Sequence, residues 1–225
     1  MINKQINRAL DALSDLQDGH TLMVGGFGSS GLPRDLLHAV LDHGASELTV
    51  ISNNAGYDQE GVAILIAAGR VRKLICSYPL TQGATAFRQA WAAKKIELEL
   101  VTQGNLVERI RCAGAGLGGY LSPITVGTPL AGDKPLHRVN GKDYVLEEPL
   151  HADFALIRAK RADSYGNLDY HLAGRNFNPV MATAGRIVVA EVDQILPPGQ
   201  LNPEHIVTPG IFIDRIILSS ERQTP

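Results

Sequence analysis

The feature that most constrains the fold is an alternation of short apolar runs with helix-like segments through the first half of the sequence. The strand candidates are four apolar runs, at residues 22–24, 47–52, 73–78 and 96–101. Between them, apolar residues recur at helical spacing in three segments, at residues 33–41, 61–68 and 87–95. Because parallel strands need a helix-length crossover connection, this alternation predicts βαβ units. The sequence therefore predicts an α/β protein with a mainly parallel open sheet flanked by helices.

The second half departs from this alternation. Residues 113–149 are rich in glycine and proline, so they are predicted to form a small lobe of loops and short antiparallel strands. A tight turn is predicted within the lobe at Asn140-Gly141. Core elements then resume, with strands at 152–159 and 186–192, a short helix at 178–185 and a last strand at 211–218. The expected organisation is one domain over residues 1–225 with a loop-rich lobe at about 113–150.

The two ends of the sequence carry weaker signals. Ile6, Leu10, Leu13 and Leu16 recur near the helical period, which predicts an amphipathic helix at the N-terminus. This segment also contains three aspartates and lacks the apolar stretch of a secretory signal, so export is not expected. The last residues, from 219 onward, are predicted to be a frayed tail.

Composition disfavours several classes of function. The formal net charge is −2 and no run of lysine or arginine occurs, so the basic surface of a nucleic-acid-binding protein is not expected. No apolar stretch approaches the ~20 residues that span a bilayer. Cys76 and Cys112 lie far apart without a His/Cys cluster around them, so both are predicted to be buried thiols in a reducing compartment. The sequence therefore predicts a cytoplasmic protein that binds neither nucleic acid, nor membrane, nor metal.

A glycine-rich segment joins the first predicted strand to the first predicted helix. Its seven residues are Gly25, Gly26, Phe27, Gly28, Ser29, Ser30 and Gly31. Glycine lets a backbone approach a ligand closely, and a helix N-terminus offers unpaired N–H groups to an anion. The alternative is that the glycines only permit a tight turn and close packing of the helix. Several glycines around the apolar Phe27 at a strand end favour a ligand-binding loop.

The same segment satisfies the G-x-G-x-x-G pattern of dinucleotide-binding proteins. That interpretation also requires an acidic residue about 20 residues further on. The next strand instead ends in Ser52-Asn53-Asn54, and no carboxylate follows before Asp58. The phosphate-loop and esterase patterns are not satisfied either, because no Gly-Lys-Ser/Thr follows and Phe27 stands where G-x-S-x-G needs glycine. A nicotinamide enzyme is therefore disfavoured.

Residues 18–33, DGHTLMVGGFGSSGLP, resemble the first sequence motif of the family I coenzyme A transferases. That motif is an acidic or amide residue with glycine, two free positions, three apolar residues, Gly-Gly-Phe, and then Gly and Pro at fixed offsets. The likeness continues in SNNAG, QGNLVERIRCAGAG, PLHADFALIRA, GNLDY, RNFNP and HIVTPGIFIDRI, and points to A (alpha) subunits of 3-oxoacid CoA-transferases. The sequence departs from such subunits at residues 122–125, where a Thr-Pro-Thr-Gly-like run is usual, and at Gly174, where alanine is more frequent.

The resemblance implies a reaction that needs a second chain. In this family a glutamate attacks the acyl-CoA thioester, and an acyl–glutamyl anhydride and then a glutamyl-CoA thioester form before CoA passes to a second carboxylic acid. That glutamate lies in a Ser-Glu-Asn-Gly motif of the B (beta) subunit, and no Glu-Asn-Gly occurs in this sequence. Seven glutamates that are present are interpreted as solvated or ion-paired: Glu60, Glu97, Glu99, Glu108, Glu147, Glu148 and Glu191. The implied partner is a B subunit in an A2B2 heterotetramer; acyl-CoA is a substrate, and no permanently bound cofactor is implied.

The resemblance also implies which residues face the reaction. Gln103 would donate its amide to the substrate carboxylate or to the oxyanion, with a glutamine that caps the next helix as the alternative. The glycine segment would line the acyl-CoA side of the cleft. Asn53 and Asn54 would orient the same substrate or serve a turn. His151 and His171 are interpreted as structural, because the implied mechanism needs no histidine.

The choice of substrate stays open at this level. Residues 52–56 and 71–77 resemble 3-oxoadipate transferases, whereas residues 111–119 and the C-terminal segment resemble acetate or acetoacetate enzymes. The prediction is transfer of CoA from succinyl-CoA or acetyl-CoA to a 3-oxoacid such as 3-oxoadipate or acetoacetate. One alternative is the A chain of an acetate CoA-transferase that acts on short-chain fatty acids. The other is a non-catalytic effector-binding domain on the same fold.

Overall fold

The computed structural model describes residues 2–57 and 59–220, and its main element is an eight-stranded sheet. The strands are β1 (Thr21–Val24), β2 (Leu48–Ile51), β3 (Val71–Cys76), β4 (Glu97–Leu100), β8 (Ala152–Asp163), β9 (Leu168–Asp169), β10 (Gly185–Leu196) and β11 (Arg215–Leu218). Their order is β11-β10-β8-β1-β2-β3-β4, with β9 paired to β8. The pairing of β9 with β8 is antiparallel and the others are parallel. The predicted mainly parallel α/β sheet is confirmed.

Five helices cover the main sheet in the described part of the chain. They are α1 (Arg34–His43), α2 (Ala63–Ala67), α3 (Thr85–Ala92), α4 (Gln103–Gly114) and α5 (Asn178–Ala182). Side chains of β1 alternate between two apolar layers, because successive residues of a strand point to opposite faces. Leu22 and Val24 pack in the layer that contains α1, α2 and α3, whereas Met23 packs in the layer that contains α4 and α5. Both faces of the sheet are therefore covered.

A second, smaller sheet contains β5 (Tyr120–Ser122), β6 (Leu136–Val139) and β7 (Lys142–Glu147). The order is β5-β7-β6 and both pairings are antiparallel, as predicted for this stretch. Asn140 and Gly141 connect β6 to β7 with φ angles of 50° and 79°, and a two-residue hairpin turn of this kind needs positive φ at both positions. Glu147 ties the small sheet to α4, because its Oε1 accepts a hydrogen bond from Asn105 Nδ2 at 3.0 Å.

The predicted N-terminal amphipathic helix is wrong. In the described chain this segment forms only a short 3-10 helix at Asp11–Leu13. The residues before it lie along the outer edge of β11, where the N–H of Ile6 donates to Ile216 O and the N–H of Ile216 donates to Lys4 O, both at 2.8 Å. Leu16 is nonetheless buried in the layer that contains α1. Pairing with an open sheet edge satisfies the backbone groups that a helix would satisfy internally.

Two other predictions need correction at their boundaries. The helix predicted at 178–185 ends at Ala182, because Gly185 already begins β10. The strand predicted at 211–218 begins at Arg215, because Gly210–Phe212 form a 3-10 turn. Of the tail predicted after residue 218, residues 221–225 lie outside the described residues.

The two cysteines are free thiols and both are buried, as predicted. Burial raises the pKa of Cys76 to about 12, so this thiol stays protonated at neutral pH. Among residues 2–57 and 59–220, no helix is long and apolar enough to cross a membrane. The same part of the chain contains no group of three or more His, Cys, Asp or Glu side chains that could hold a metal ion.

Candidate functional site

The carboxyl ends of the parallel strands bring the predicted site segments to one edge of the main sheet. The glycine segment follows β1, Asn53 and Asn54 follow β2, and Gln103 follows β4. Ligands of open α/β sheets bind outside this edge. Three strand spacings of about 4.8 Å, or roughly 14 Å, separate β1 from β4. This spacing suits contacts with different parts of a long ligand better than contacts with a single atom.

The glycine segment forms a tight turn whose tip is exposed. The N–H of Phe27 donates to Ser30 O at 3.0 Å, and the N–H of Ser30 donates to Phe27 O at 3.1 Å. Gly28, inside the turn, has a positive φ of 61°. Phe27 is 49% exposed, and Ser29 and Ser30 are exposed as well. The turn therefore presents an aromatic ring and two hydroxyl groups to the space above the sheet.

The glycines that flank this tip are buried, and each has a packing reason to be glycine. A Cβ on Gly25 would lie 1.8 Å from Asn178 Oδ1, and a Cβ on Gly31 would lie 2.4 Å from the backbone oxygen of Gly174. Gly26 has a φ of 116°, which L side chains rarely adopt. Close packing thus explains the flanking glycines, as the alternative interpretation stated. It does not account for the exposed tip.

Gly26→Ala is expected to lower the free energy of unfolding by about 1–3 kcal/mol, because the backbone strain of a positive φ adds to a new contact. The added Cβ would lie 2.5 Å from Leu32 Cδ2 in a buried position. Thermal melting of the variant and the wild type measures the effect. Gly118→Ala is the control, because Gly118 has no positive φ and no heavy atom within 4 Å of an added Cβ. Equal melting temperatures for both variants would contradict the expected strain.

Two asparagines hold the glycine segment, and sequence reasoning did not assign them a role. Asn176 Oδ1 accepts a hydrogen bond from the N–H of Gly26 at 3.1 Å, and its Nδ2 donates to Ser30 O at 3.0 Å. Asn178, which is fully buried, donates from Nδ2 to Gly31 O at 3.1 Å. Both lie in the RNFNP segment that contributed to the family resemblance. The sequence signals their presence but not their partners, which are about 150 residues away in the chain.

A buried ionic group lies behind these asparagines. The N–H of Arg158 donates to Asn178 Oδ1 at 2.9 Å, and the Arg158 guanidinium pairs with Glu191 and Asp193. Glu191 also accepts the N–H of Leu36, in the first turn of α1, at 3.2 Å. The pKa of Glu191 is raised to about 7, because the effect of burial is larger than the opposing effect of the Arg158 charge. The group joins β8, β10 and the start of α1, and Glu191 is ion-paired as predicted.

Asn53 and Asn54 are buried at the end of β2. Asn53 Oδ1 accepts a hydrogen bond from Ser77 Oγ at 3.1 Å, and Asn54 Oδ1 accepts the N–H of Gly56 at 2.8 Å. The Asn54 oxygen thus stabilises the local turn, which is the role that the sequence offered as an alternative, whereas the Asn53 oxygen links the end of β2 to the residue that follows β3. Their Nδ2 groups are the donors with which they could orient a substrate.

Gln103 is the first residue of α4 and is exposed. Among residues 2–57 and 59–220, none forms a hydrogen bond with its side chain, so the capping bond of the alternative interpretation is not observed there. The preceding Thr102 also makes no side-chain capping bond. The Gln103 amide is therefore accessible at the positive end of a 12-residue helix.

A cavity of about 340 Å³ lies beside the start of α4, between the β4–α4 connection and the smaller sheet. Its polar lining residues include Thr102, Asn105, Arg109, Thr125, Lys134 and Glu147. Residues 122–125, which depart from the family pattern, reach this region, because a Cβ on Gly104 would lie 3.6 Å from Ile124 Cδ1. The departure from the family pattern thus lies next to Gly104, the second residue of α4.

The chain belongs to the coenzyme A transferase family, whose model matches residues 6–219. It is 50% identical over 220 residues to the A subunit of 3-oxoadipate CoA-transferase from Pseudomonas putida, over 98% of this chain and 95% of the relative. It is 47% identical over 211 residues to the alpha subunit of acetate CoA-transferase from Escherichia coli strain K12, over 94% of this chain and 95% of the relative. Both relatives are named as one subunit, which implies a partner subunit.

Solved structures share the fold at lower identity. The crystal structure of an acyl-CoA transferase apoenzyme from Escherichia coli O157:H7 superposes with a TM-score of 0.86 at 22% sequence identity. The match covers 98% of this chain and 48% of that chain, so this chain spans about half its length. At this identity the likeness shows the fold alone.

Proposed function

We propose that this chain is the A subunit of a two-subunit cytoplasmic 3-oxoacid CoA-transferase. The enzyme moves CoA from succinyl-CoA or acetyl-CoA to a 3-oxoacid such as 3-oxoadipate or acetoacetate, and a B subunit supplies the catalytic glutamate. The observation that carries the proposal is the 50% identity, over 98% of the chain, to the A subunit of a 3-oxoadipate CoA-transferase. An A2B2 heterotetramer is the proposed assembly.

The proposed chemistry is two successive exchanges on the partner's glutamate. Its carboxylate attacks the thioester carbonyl, which forms an acyl–glutamyl anhydride and releases CoA thiolate. The thiolate then attacks the glutamyl carbonyl, which releases the first acid and leaves a glutamyl-CoA thioester. The same two steps in reverse, with the second acid, return the free glutamate and deliver the new acyl-CoA. One thioester is consumed and one is formed, so the sum needs no further energy source.

Gln103 is the proposed hydrogen-bond donor of this chain to the oxyanion. A carboxylate is a weak nucleophile, so the rate depends on donors aimed at the oxyanion of each tetrahedral intermediate. The Gln103 amide is exposed at the N-terminus of α4, where the helix dipole favours developing negative charge. The cavity at the start of α4 and the approach of Ile124 to Gly104, the next residue of the helix, support contact with the acid part of the substrate.

The glycine segment is the proposed wall for the acyl-CoA chain. Its exposed tip lies at the same edge as Gln103, and the strands that precede them, β1 and β4, are roughly 14 Å apart. Asn53 and Asn54, between the two, are proposed to orient the substrate through their Nδ2 groups. Phe27, Tyr78 and Leu80 are large apolar residues that are about half exposed at or near this edge. Their exposure supports a site that is completed by the B subunit.

One observation favours a second candidate function. The chain is 47% identical to the alpha subunit of an acetate CoA-transferase, which is only slightly less than its identity to the 3-oxoadipate enzyme. A chain that serves the transfer of CoA to short-chain fatty acids is therefore the alternative within the same reaction class.

A substrate panel on the reconstituted complex tests the proposal. The chain is coexpressed with a B-type partner that carries Ser-Glu-Asn-Gly, and new acyl-CoA is measured by mass spectrometry. The acceptors are 3-oxoadipate, acetoacetate, acetate and butyrate, each with succinyl-CoA or acetyl-CoA. We expect kcat/KM for the better 3-oxoacid to exceed that for the fatty acids by about tenfold or more. Faster transfer to acetate or butyrate would favour the second candidate, and no transfer to any acid would overturn the proposal.

A further inference from the structure

Asn176 makes an unusual set of contacts for a half-buried side chain, because it joins both sides of the glycine turn. Its Oδ1 accepts the N–H of Gly26 at the entry, and its Nδ2 donates to the backbone oxygen of Ser30 at the exit. The same Nδ2 donates to Ala173 O at 2.8 Å, which anchors the side chain on its own segment. One planar amide therefore attaches both sides of the turn to the 173–178 segment.

We propose that Asn176 is a positioning residue, which holds the tip of the glycine segment in the conformation that accepts acyl-CoA. This inference rests on the proposed function, because it concerns the same site. The backbone bonds between Phe27 and Ser30 close the tip into one unit. Gly26 and Gly31, on either side of this unit, have positive φ and no side chain, so no side chain at these two positions restricts a tilt of the unit. Asn176 forms hydrogen bonds with the backbone of Gly26 and of Ser30, one on each side of the tip, and thereby restricts this tilt.

Asn178 has a different part in the arrangement. It is fully buried and binds Gly31 O and Gly174 O through Nδ2, while its Oδ1 accepts the N–H of Arg158. These bonds join the base of the segment to the core of the sheet, so loss of Asn178 would affect folding. Asn176 is half-buried and contacts the tip. Its loss is expected to free the tip while the base stays anchored.

An amide matches the three bonds of Asn176, which use one acceptor and two donors. Asparagine offers one acceptor oxygen and two donor hydrogens in a plane, whereas ionised aspartate offers only acceptors. Alanine removes both bonds and leaves the buried N–H of Gly26 without its partner. When only a fraction of the molecules has the binding-competent tip, the apparent affinity for ligand falls by that fraction.

The first test measures the tip directly by amide hydrogen exchange in the complex with the B subunit. Asn176→Ala is expected to accelerate exchange at Gly26 and Ser30 by about tenfold, with little change in the main sheet. Asn167→Ala is the matched control. Asn167 is also half-buried and also links two segments, through bonds to Asp163 Oδ2 and from the N–H of Gly210, both 2.8 Å. It has no bond to the glycine turn. Unchanged exchange at Gly26 in Asn176→Ala would overturn the proposal.

The second test is kinetic. Asn176→Ala is expected to lower kcat/KM for acyl-CoA about tenfold, whereas Asn167→Ala keeps the wild-type value at a similar loss of melting temperature. Asn176→Asp keeps an acceptor for Gly26 and regains a donor when its carboxyl is protonated. Its kcat/KM relative to wild type should therefore rise as the pH falls. The inference would be overturned if this ratio did not change with pH and Asn176→Ala had wild-type kinetics. A wild-type complex that is inactive on every acid would overturn the proposed function instead.

Discussion

Assayed without its partner, the chain is expected to transfer no CoA from succinyl-CoA to any 3-oxoacid. The proposed route needs a free glutamate carboxylate at the thioester, and this sequence contains no Glu-Asn-Gly. Of the glutamates within residues 2–57 and 59–220, the two most buried already have other partners. Glu147 is held by Asn105 and Lys134, and Glu191 is held by Arg158. Addition of the B subunit should restore turnover from zero, the largest change expected for this protein.

Intact-mass measurement of both polypeptides gives the decisive readout. After incubation with acyl-CoA alone, a CoA adduct is expected on the partner polypeptide and not on this chain. A partner in which the glutamate of Ser-Glu-Asn-Gly is replaced by alanine serves as the control, since it should assemble but lose both adduct and turnover. Turnover by the isolated chain, or a CoA adduct on it, would contradict the division of labour between the two polypeptides.

Gln103→Ala is expected to lower kcat of the complex by about 10²–10³-fold, the range typical of removing one oxyanion donor. The melting temperature should stay close to that of wild type, because the side chain is exposed and forms no hydrogen bond within the described residues. Initial rates with saturating acyl-CoA, together with thermal melting, check both parts of the expectation.

Two further variants separate catalysis from helix stability. Gln103→Glu keeps the size of the side chain but replaces the amide donor with a carboxylate, so it should be as inactive as Gln103→Ala. Gln89→Ala removes an exposed glutamine from α3, on the opposite face of the sheet, and should leave both rate and stability unchanged. Wild-type turnover by Gln103→Ala would assign Gln103 to the helix rather than to the reaction.

The sequence by itself determined the elements whose signals are local. Short apolar runs separated by segments of helical spacing predicted β1–β4 and the helices between them. Asn140-Gly141 predicted its hairpin, because few other residue pairs tolerate positive φ at both positions. The motif around the glycine segment indicated the family, which the match over residues 6–219 confirmed. Each of these depends on neighbours in the chain, so no knowledge of the rest of the fold was needed.

Only the tertiary structure decided which groups that are distant in the chain form hydrogen bonds with each local segment. The helical spacing at the N-terminus was overridden because Ile6 could pair with the edge of β11, which lies more than 200 residues away in the chain. The glycine segment was predictable as a strand-to-helix connection, but its shape is set by Asn176 and Asn178, which are about 150 residues away in the chain. Backbone N–H and C=O groups are alike in every residue, so a sequence does not reveal which of them a distant side chain will bind. Which groups meet follows from the order of the strands, in which β10, β8 and β1 lie side by side in one sheet.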